Sequence, residues 1–371
     1  MRSFVAAAAL ALAAASAQAQ TFASSAGPLR VATFARGLVN PWSLAFLPDG
    51  RLLVTERPGR MRIVGQEGSL SPPLGGVPQP YVGGQAGLLD VVLDRDYARN
   101  RTIYFCYTKA RGGAAAVARA RLYDGDPPRL DDVTTIFVQE GPPGSNNYGC
   151  RIVQWGDGNL FVTLGDHFEP RNEAQNLANH LGKIVRIRPD GGVPPDNPFV
   201  GRAGAKPEIW AYGVRNPQGL AINPADGRLW EQEHGPRGGD EVNIIDKGRN
   251  YGWPVIGYGI DYNGARIHVG PSKPGMEQPV HYWVPSIAPS GMAFLTGTLF
   301  PHWSGNLFVG ALRAELLVRL ELDGAKVTRE ERLLQGLNER IRDVRSGPDG
   351  ALWLLTDNPA GRVLRVTPAN R

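Results

Sequence analysis

A chain of 371 residues can hold two average domains or one large ring-like domain, and 47 glycines with 31 prolines favour the second, since so many turn formers leave little room for helices. The net charge of +5 is mild and no basic run with interleaved aromatics occurs, which argues against a nucleic-acid partner and leaves a solvated surface with some arginines free for a small anion. Beyond the first residues no apolar stretch is long enough for a membrane span.

The first element in the chain is not expected in the folded protein. Met1-Arg2 gives a positive start, residues 4–15 an apolar alanine-rich run, and Ala17-Gln18-Ala19 small residues at a cleavage position. Residues 1–19 are therefore read as a secretory signal peptide cleaved after Ala19, which sends residues 20–371 to the periplasm or the medium. Export permits a disulfide between the two cysteines, Cys106 and Cys150. Both fall in strand-like stretches, and a bridge and a pair of buried thiols stand as equal readings.

From there one unit recurs: a short apolar run, a tight turn, and a second apolar run. The pairs are 42–46 with 52–54, 87–93 with 102–105, 151–155 with 160–162, 218–222 with 229–230, 290–295 with 307–309, and 341–344 with 352–354. Asp49-Gly50, Asp157-Gly158, Asp226-Gly227, Gly305-Asn306 and Asp349-Gly350 mark the turns, with a degenerate copy over 94–100. Glycine there supplies the positive φ that tight hairpins need. About six such units, each followed by further strands, predict an all-β fold: a six-bladed β-propeller of four-stranded antiparallel blades, in a single domain over 20–371. Long insertions over 166–207 and 233–283 are expected to carry function.

The topology also places chemistry. Within a unit the start of the first strand and the end of the second lie on the same face, because the two are antiparallel. Gln85, Asn146-Asn147, Arg215-Asn216 and Arg340 stand at the starts, and Asp166-His167, His234-Gly235-Pro236 and Arg313 at the ends. Arg342 follows Arg340 by two and is expected on the same side of its strand. Arginines, amides and a carboxylate so gathered at a channel mouth suit an anionic ligand.

At these residues the chain resembles the soluble quinoprotein aldose dehydrogenases, the glucose/sorbosone dehydrogenase family. The resemblance runs from Gly37-Leu38-Val39-Asn40-Pro41-Trp42 to Gly361-Arg362-Val363-Leu364. It is most specific in Gly84-Gln85-Ala86-Gly87-Leu88-Leu89, Ala211-Tyr212-Gly213-Val214-Arg215-Asn216-Pro217-Gln218-Gly219, His234-Gly235-Pro236-Arg237-Gly238-Gly239-Asp240-Glu241-Val242-Asn243, Asn250-Tyr251-Gly252-Trp253-Pro254 and Arg340-Ile341-Arg342-Asp343-Val344.

The resemblance implies pyrroloquinoline quinone (PQQ) and Ca²⁺ as cofactors. Gln85 would contact the cofactor and substrate region, with Arg215, Asn216, Tyr262, Arg340 and Arg342 on the quinone. The carbonyls of Gly235 and Pro236 would hold the active-site calcium, Glu241 and Tyr251 a nearby structural calcium, and Asp166 would orient the catalytic base. These roles suit the chemistry, since arginine forks bind carboxylates bidentately and calcium takes hard oxygen ligands. Two positions depart from the family. Asn147 stands where the family carries the histidine that takes the substrate proton, and asparagine is no base near neutral pH. Arg313 stands where lysine is common.

The expected function is oxidation of aldoses, or related alcohols or aldehydes, with electrons passed to a periplasmic acceptor. His167 or Asp166 would replace the missing base, or Asn147 would orient a different substrate. A propeller that binds quinone or sugar without turnover, and a calcium-dependent lactonase, are the rival readings; the arginines favour a polycarboxylate ligand over a lactone.

Overall fold

A computed structural model describes residues 19–109 and 113–370, so residues 1–18 of the expected signal peptide lie outside the described residues. Six antiparallel sheets follow one another along the chain. The first strands of successive sheets lie side by side and the sixth meets the first, which closes a six-bladed propeller around a central axis.

Those inner strands are Pro41–Phe46, Leu88–Leu93, Gly149–Gln154, Pro217–Ile222, Pro289–Phe294 and Ile341–Ser346. The strands that follow, such as Leu160–Leu164, Leu307–Ala311 and Leu352–Thr356, are buried at every position, because neighbouring blades cover both of their faces. Apolar layers between blades form the core. One, for example, packs Trp303, Phe308, Leu317, Leu352 and Leu364.

Four blades have the expected four strands. The first blade has three strands and an isolated Val64–Leu70 bridge. The last is assembled from both ends of the chain: Leu29–Leu38 pairs with Gly361–Pro368, and Gln20–Phe22 adds outside it. This closure ties the ring shut through main-chain hydrogen bonds.

Cys106 and Cys150 form a disulfide, with Cα atoms 6.0 Å apart, that joins the second strand of blade two to the inner strand of blade three. The 166–207 insertion is fastened from below by Lys183. Its ammonium group is fully buried and donates to the carbonyls of Glu173, Ala174 and Leu181 at 3.0, 3.1 and 2.5 Å. Burial pushes its pKa down to about 7, with Glu173 opposing the shift.

One regularity was not visible in the pattern of the units. Every inner strand carries a β-bulge near its start, at Trp42, at Leu89-Asp90, at Cys150-Arg151, at Gln218, at Gly291 and at Arg342. A bulge places an extra residue against one partner and re-aims its side chain. Repeated six times at one end of the ring, it turns side chains onto the axis that strict alternation would send between blades.

Candidate functional site

The bulged ends enclose a cavity of ≈ 250 Å³ at the mouth of the channel. Its walls include Trp42, Gln85, Gln218, His234, Arg340 and Arg342, drawn from four blades or the loops that lead into or out of their strands. Below it the channel is closed. Arg151 reaches across the axis to ion-pair with Asp343 at 2.9 Å and Asp90 at 3.3 Å, and donates to the carbonyls of Gln218 (2.7 Å) and Arg342 (3.2 Å). Arg345 pairs with the same two aspartates at 2.9 Å each. The Arg151 guanidinium also lies 4.1 Å from the centre of the Trp42 ring. The mouth is thus a blind pocket with a charged but internally neutralised floor.

Arg340 and Arg342 do meet on one side, as expected, but not through strand alternation. Arg340 precedes the strand and Arg342 occupies its bulge. Arg342 donates to Asp357 at 2.6 Å and to Gln218 at 3.2 Å, while its Nε–H is buried without an acceptor among the described residues. Arg340 is half-exposed, donates to the Leu312 carbonyl at 3.2 Å and stands 3.7 Å from Asp357. Arg313 is not brought into the cavity. It is exposed on the rim, next to the lining residue Leu312.

Gln85, Asn147 and Asn216 form one connected amide set. The Gln85 side-chain oxygen accepts from the Asn147 N–H at 3.0 Å and from Asn216 Nδ2 at 3.5 Å, and Asn216 Oδ1 accepts from Gln218 and from the Gly149 N–H. Asn147 sits at φ 54° and donates from Nδ2 to Asp166 at 2.9 Å. Asp166 is fully buried and also accepts from the Phe168 N–H (2.8 Å) and Trp253 Nε1 (2.7 Å). Gly165 is obligatory beside them, because a Cβ there would fall 1.7 Å from the Asn147 carbonyl oxygen. Asp166 therefore orients residue 147, as expected, but what it orients is an amide with its Oδ1 left to accept a hydrogen bond.

The expectation that His167 follows Asp166 to the mouth fails. His167 and Phe168 are both left-handed, at φ 61° and 76°, and this double turn sends the imidazole inward and the phenyl ring outward. His167 is 2 % exposed, with Nε2 2.8 Å from Gln139 Oε1 and Nδ1 3.1 Å from the Pro142 carbonyl. Burial lowers its pKa. It lines none of the described cavities at the mouth.

Two smaller cavities adjoin the first. One, walled by Arg215, Glu233, His234, Gly235, Pro236 and Glu241 among others, lies at the end of blade four under the loop over residues 251–268. The other, of ≈ 290 Å³, opens outward past Arg215, Pro236, Trp253 and Tyr262. Arg215 is buried over the Trp253 ring, 5.3 Å from its centre, and donates to the carbonyls of His234 (3.0 Å) and Gly235 (2.9 Å). Tyr262 is 56 % exposed at the outer rim.

The residues fit the two groups the resemblance implies. For a polycarboxylate quinone, the unpartnered Nε–H of Arg342 is a donor awaiting an anion, and the mouth cavity holds Arg57, Arg340 and Arg342 against one carboxylate, Asp357. For calcium, Glu231, Glu233, Glu241 and Asn243 share one face of the second and third strands of blade four, all buried. Among the described residues, Glu231 Oε1 and Asn243 Oδ1 have no partner.

Burial and mutual repulsion push the Glu231 and Glu233 carboxyls well up, and burial takes Glu241 to about 8. A divalent cation would reverse that cost. No three His, Cys, Asp or Glu side chains converge on one point among the described residues, so amide and main-chain oxygens would have to share in holding it. The Tyr251 hydroxyl donates to the Ile244 carbonyl (2.6 Å) and accepts from the Asp246 N–H (2.8 Å), so any oxygen Tyr251 gave to a cation would be its carbonyl. Gly235 admits no side chain, since a Cβ would lie 2.3 Å from the Gly238 carbonyl oxygen.

Known proteins share this architecture. The chain is 46 % identical over 340 residues to the aldose sugar dehydrogenase YliI of Escherichia coli, covering 90 % of this chain and 91 % of that protein. The crystal structure of the soluble E. coli aldose sugar dehydrogenase in its apo form superposes with a TM-score of 0.89 at 46 % identity, over 92 % of this chain and 99 % of the other. The PQQ-bound aldose sugar dehydrogenase from Streptomyces coelicolor does so with a TM-score of 0.77 at 32 % identity, over 91 % and 98 %. A family model described as Glucose / Sorbosone dehydrogenase matches residues 38–365. The chain belongs to the glucose/sorbosone dehydrogenase family.

Proposed function

We propose that the protein is a PQQ- and calcium-dependent oxidoreductase that oxidises aldoses, or closely related alcohols or aldehydes, in the periplasm after removal of residues 1–19, with residues 20–371 acting as one domain. One observation carries the reading: Arg340, Arg342 and Gln85 wall a blind polar cavity whose arginines outnumber its single carboxylate and include an unanswered N–H. Arg340, Arg342 and Arg215 with Asn216 would hold the quinone. Gly235 and Pro236 would offer carbonyls to one calcium, and Glu241 with Tyr251 would hold another. Arg313 would add charge at the rim and Tyr262 would border the cofactor from outside. Bound there, the quinone supplies an acceptor for a hydride from the sugar carbon, and its electrons leave to a periplasmic acceptor.

The chain's own groups handle the substrate as follows. Asn147, held by Asp166, accepts a hydrogen bond from a sugar hydroxyl at Oδ1 and fixes its direction. Gln85, fixed by its bonds to Asn147 and Asn216, does the same from the neighbouring loop. The closed floor keeps bulk water from entering along the axis. No free base faces the substrate: the Asp166 side chain is engaged by donors from Asn147, Phe168 and Trp253, and the His167 ring is turned away. Proton removal is therefore the slow part, and quinone or sugar binding without efficient turnover is the second reading, which Asn147 itself favours.

The test is reconstitution with PQQ and Ca²⁺ followed by dye reduction across a panel of aldoses. Asn147→His should raise kcat by about 10²-fold, the lower end of what a positioned base supplies. A folded, quinone-loaded variant with unchanged kcat would show that position 147 does not limit the reaction. Lack of quinone uptake at micromolar concentrations would reject both quinone readings and leave only a sugar-binding propeller.

A further inference from the structure

The two ends of the ring differ in how their surface charge is answered. At the end away from the mouth, aspartates of the tight turns are matched: Asp49 pairs with Arg51, Asp157 with Arg186 and Asp349 with Arg365. At the mouth end, Lys109, Arg237 and Arg313 are exposed, and none meets a carboxylate among the described residues. Each stands on a turn at the opening. Lys109 follows the second strand of blade two, Arg237 follows Pro236 of the outward-opening cavity, and Arg313 follows Leu312 of the mouth wall. Two exposed acids at this end, Glu169 and Glu315, also lack a basic partner, so the unanswered charge is basic in balance.

Apolar side chains are exposed beside two of these charges. Tyr81 and Val82 lie on the loop that leads to Gln85, and the Tyr81 N–H donates at 2.8 Å to the carbonyl of Thr108, next to Lys109. The Arg237 N–H donates to the Ile260 carbonyl at 3.1 Å, and Val284 lies against Gly238. Tyr81, Val82, Ile260 and Val284 are each more than two-fifths exposed. Apolar surface set among unpaired basic groups, spread over blades two, four and five, is too wide for a small anion. It has the make-up of a transient protein interface, with apolar contact at short range and charge for recognition. The axis below the mouth is plugged by Arg151, Arg345, Asp90 and Asp343, so a protein that takes electrons from the site approaches it most closely at the mouth. The free charge there is positive and the chain carries +5 overall, so the complementary partner is acidic.

We infer that this face docks an acidic one-electron redox protein, the acceptor of the electrons removed from the sugar. The inference rests on the proposed redox function and names the chemistry of its partner. Oxidation of one aldose to its lactone releases two electrons and two protons. The partner takes one electron per encounter, so two encounters and the loss of both protons to solvent complete a turnover. Lys109 and Arg237, which line none of the described cavities, steer the encounter.

The test uses two redox proteins of opposite charge: plastocyanin, an acidic blue-copper protein, and cytochrome c, a basic haem protein. Binding of their oxidised forms to the cofactor-free chain is followed by calorimetry at about 10 mM and about 200 mM salt. Their reduction by the PQQ- and Ca²⁺-loaded protein is followed by absorbance with a panel of aldoses. Plastocyanin should bind and cytochrome c should not, and the rise in salt should weaken plastocyanin binding about tenfold. The double variant Lys109→Gln with Arg237→Gln should lower kcat/KM for plastocyanin about tenfold and leave the reduction of uncharged benzoquinone unchanged.

Equal binding of the two proteins, binding indifferent to salt, or a double variant that reduces plastocyanin as fast as the parent chain overturns the docking face. So does binding to phosphatidylglycerol vesicles but not to plastocyanin, which would assign the face to a membrane. Benzoquinone reduction without plastocyanin binding overturns the docking face and keeps the redox reading. Salt-sensitive plastocyanin binding with no acceptor reduced on any sugar counts against the redox reading alone and leaves the surface for an acidic protein standing.

Discussion

Two layers of arginine lie one above the other on the propeller axis, and they differ in how their charge is answered. In the floor, Arg151 and Arg345 are matched by Asp90 and Asp343, and Ser43, Gln218 and the Arg342 carbonyl take up further hydrogen bonds. In the mouth above, Arg340 and Arg342 share the carboxylate of Asp357, Arg57 lines the same cavity and donates to the Gly84 carbonyl, and one Arg342 N–H has no acceptor among the described residues. The same side chain is structural where the protein completes its hydrogen bonds and ligand-directed where it leaves them open. Burial alone does not separate the two roles, since Arg151 and Arg342 are both under a tenth exposed.

The sharpest way to break this contrast is to remove the floor. Arg151→Met leaves Asp90 and Asp343 buried with only Arg345 between them, and loss of one partner from a buried ion pair costs about 3–5 kcal/mol. Denaturant unfolding should show that loss; a change under about 1 kcal/mol would mean that the floor is dispensable and the two layers are not distinct.

A smaller effect is expected at blade four. Saturating Ca²⁺ at a hundredfold over its Kd should stabilise the cofactor-free protein by about 2.7 kcal/mol, read as a rise in Tm against a chelator control. Glu241→Gln should shrink the rise. Absence of any calcium-dependent shift in the parent chain would leave the raised Glu231, Glu233 and Glu241 carboxyls as neutral acids rather than ligands.

Much of this was readable beforehand, for identifiable reasons. Glycine-bearing turns recur at the same phase of each unit, so strand pairs and blade number follow from local turn chemistry. That Gln85, Asn147, Arg215 and Arg340 gather at one end of the ring follows from antiparallel topology, though of these Gln85 and Arg340 line the mouth cavity itself. The bulges do not, because an apolar run has the same composition with or without an extra residue. Trp42 and Gln218 were therefore not singled out as wall residues. A signal existed: Gly87, Gly149 and Gly291 have positive φ at or beside three of the bulges, and Asp90 and Arg151 are lone charges inside mainly apolar inner strands, which a buried network explains better than a surface does. The contribution of Leu29–Leu38 to the last blade joins residues more than 300 apart, a distance no local pattern encodes. The inward turn of His167 depends on two non-glycine left-handed residues, which composition gives no reason to expect.

The mildest prediction tests the Arg342–Asp357 pair itself, where the two layers meet. Burial alone would raise the Asp357 carboxyl, but the charge and hydrogen bond of Arg342 outweigh it and hold the group near 2, below its ordinary 3.8. A carboxylate whose pKa is lower folded than unfolded binds its proton more readily unfolded. Its contribution, about 2 kcal/mol here, is therefore complete above roughly pH 4 and is lost as pH falls through about 2. Arg342→Gln removes the cause of the depression, so Asp357 takes up its proton at higher pH and the acid limb of the stability profile moves upward.

The same variant should weaken quinone uptake about tenfold or more, because it removes the donor whose N–H stands open. An unshifted acid limb together with weakened uptake would mean that Arg342 serves the ligand and that Asp357 owes its state to other groups. A shifted limb with unchanged uptake would move Arg342 from the open layer into the closed one, and the contrast between them would then rest on Arg340 and Arg57 alone.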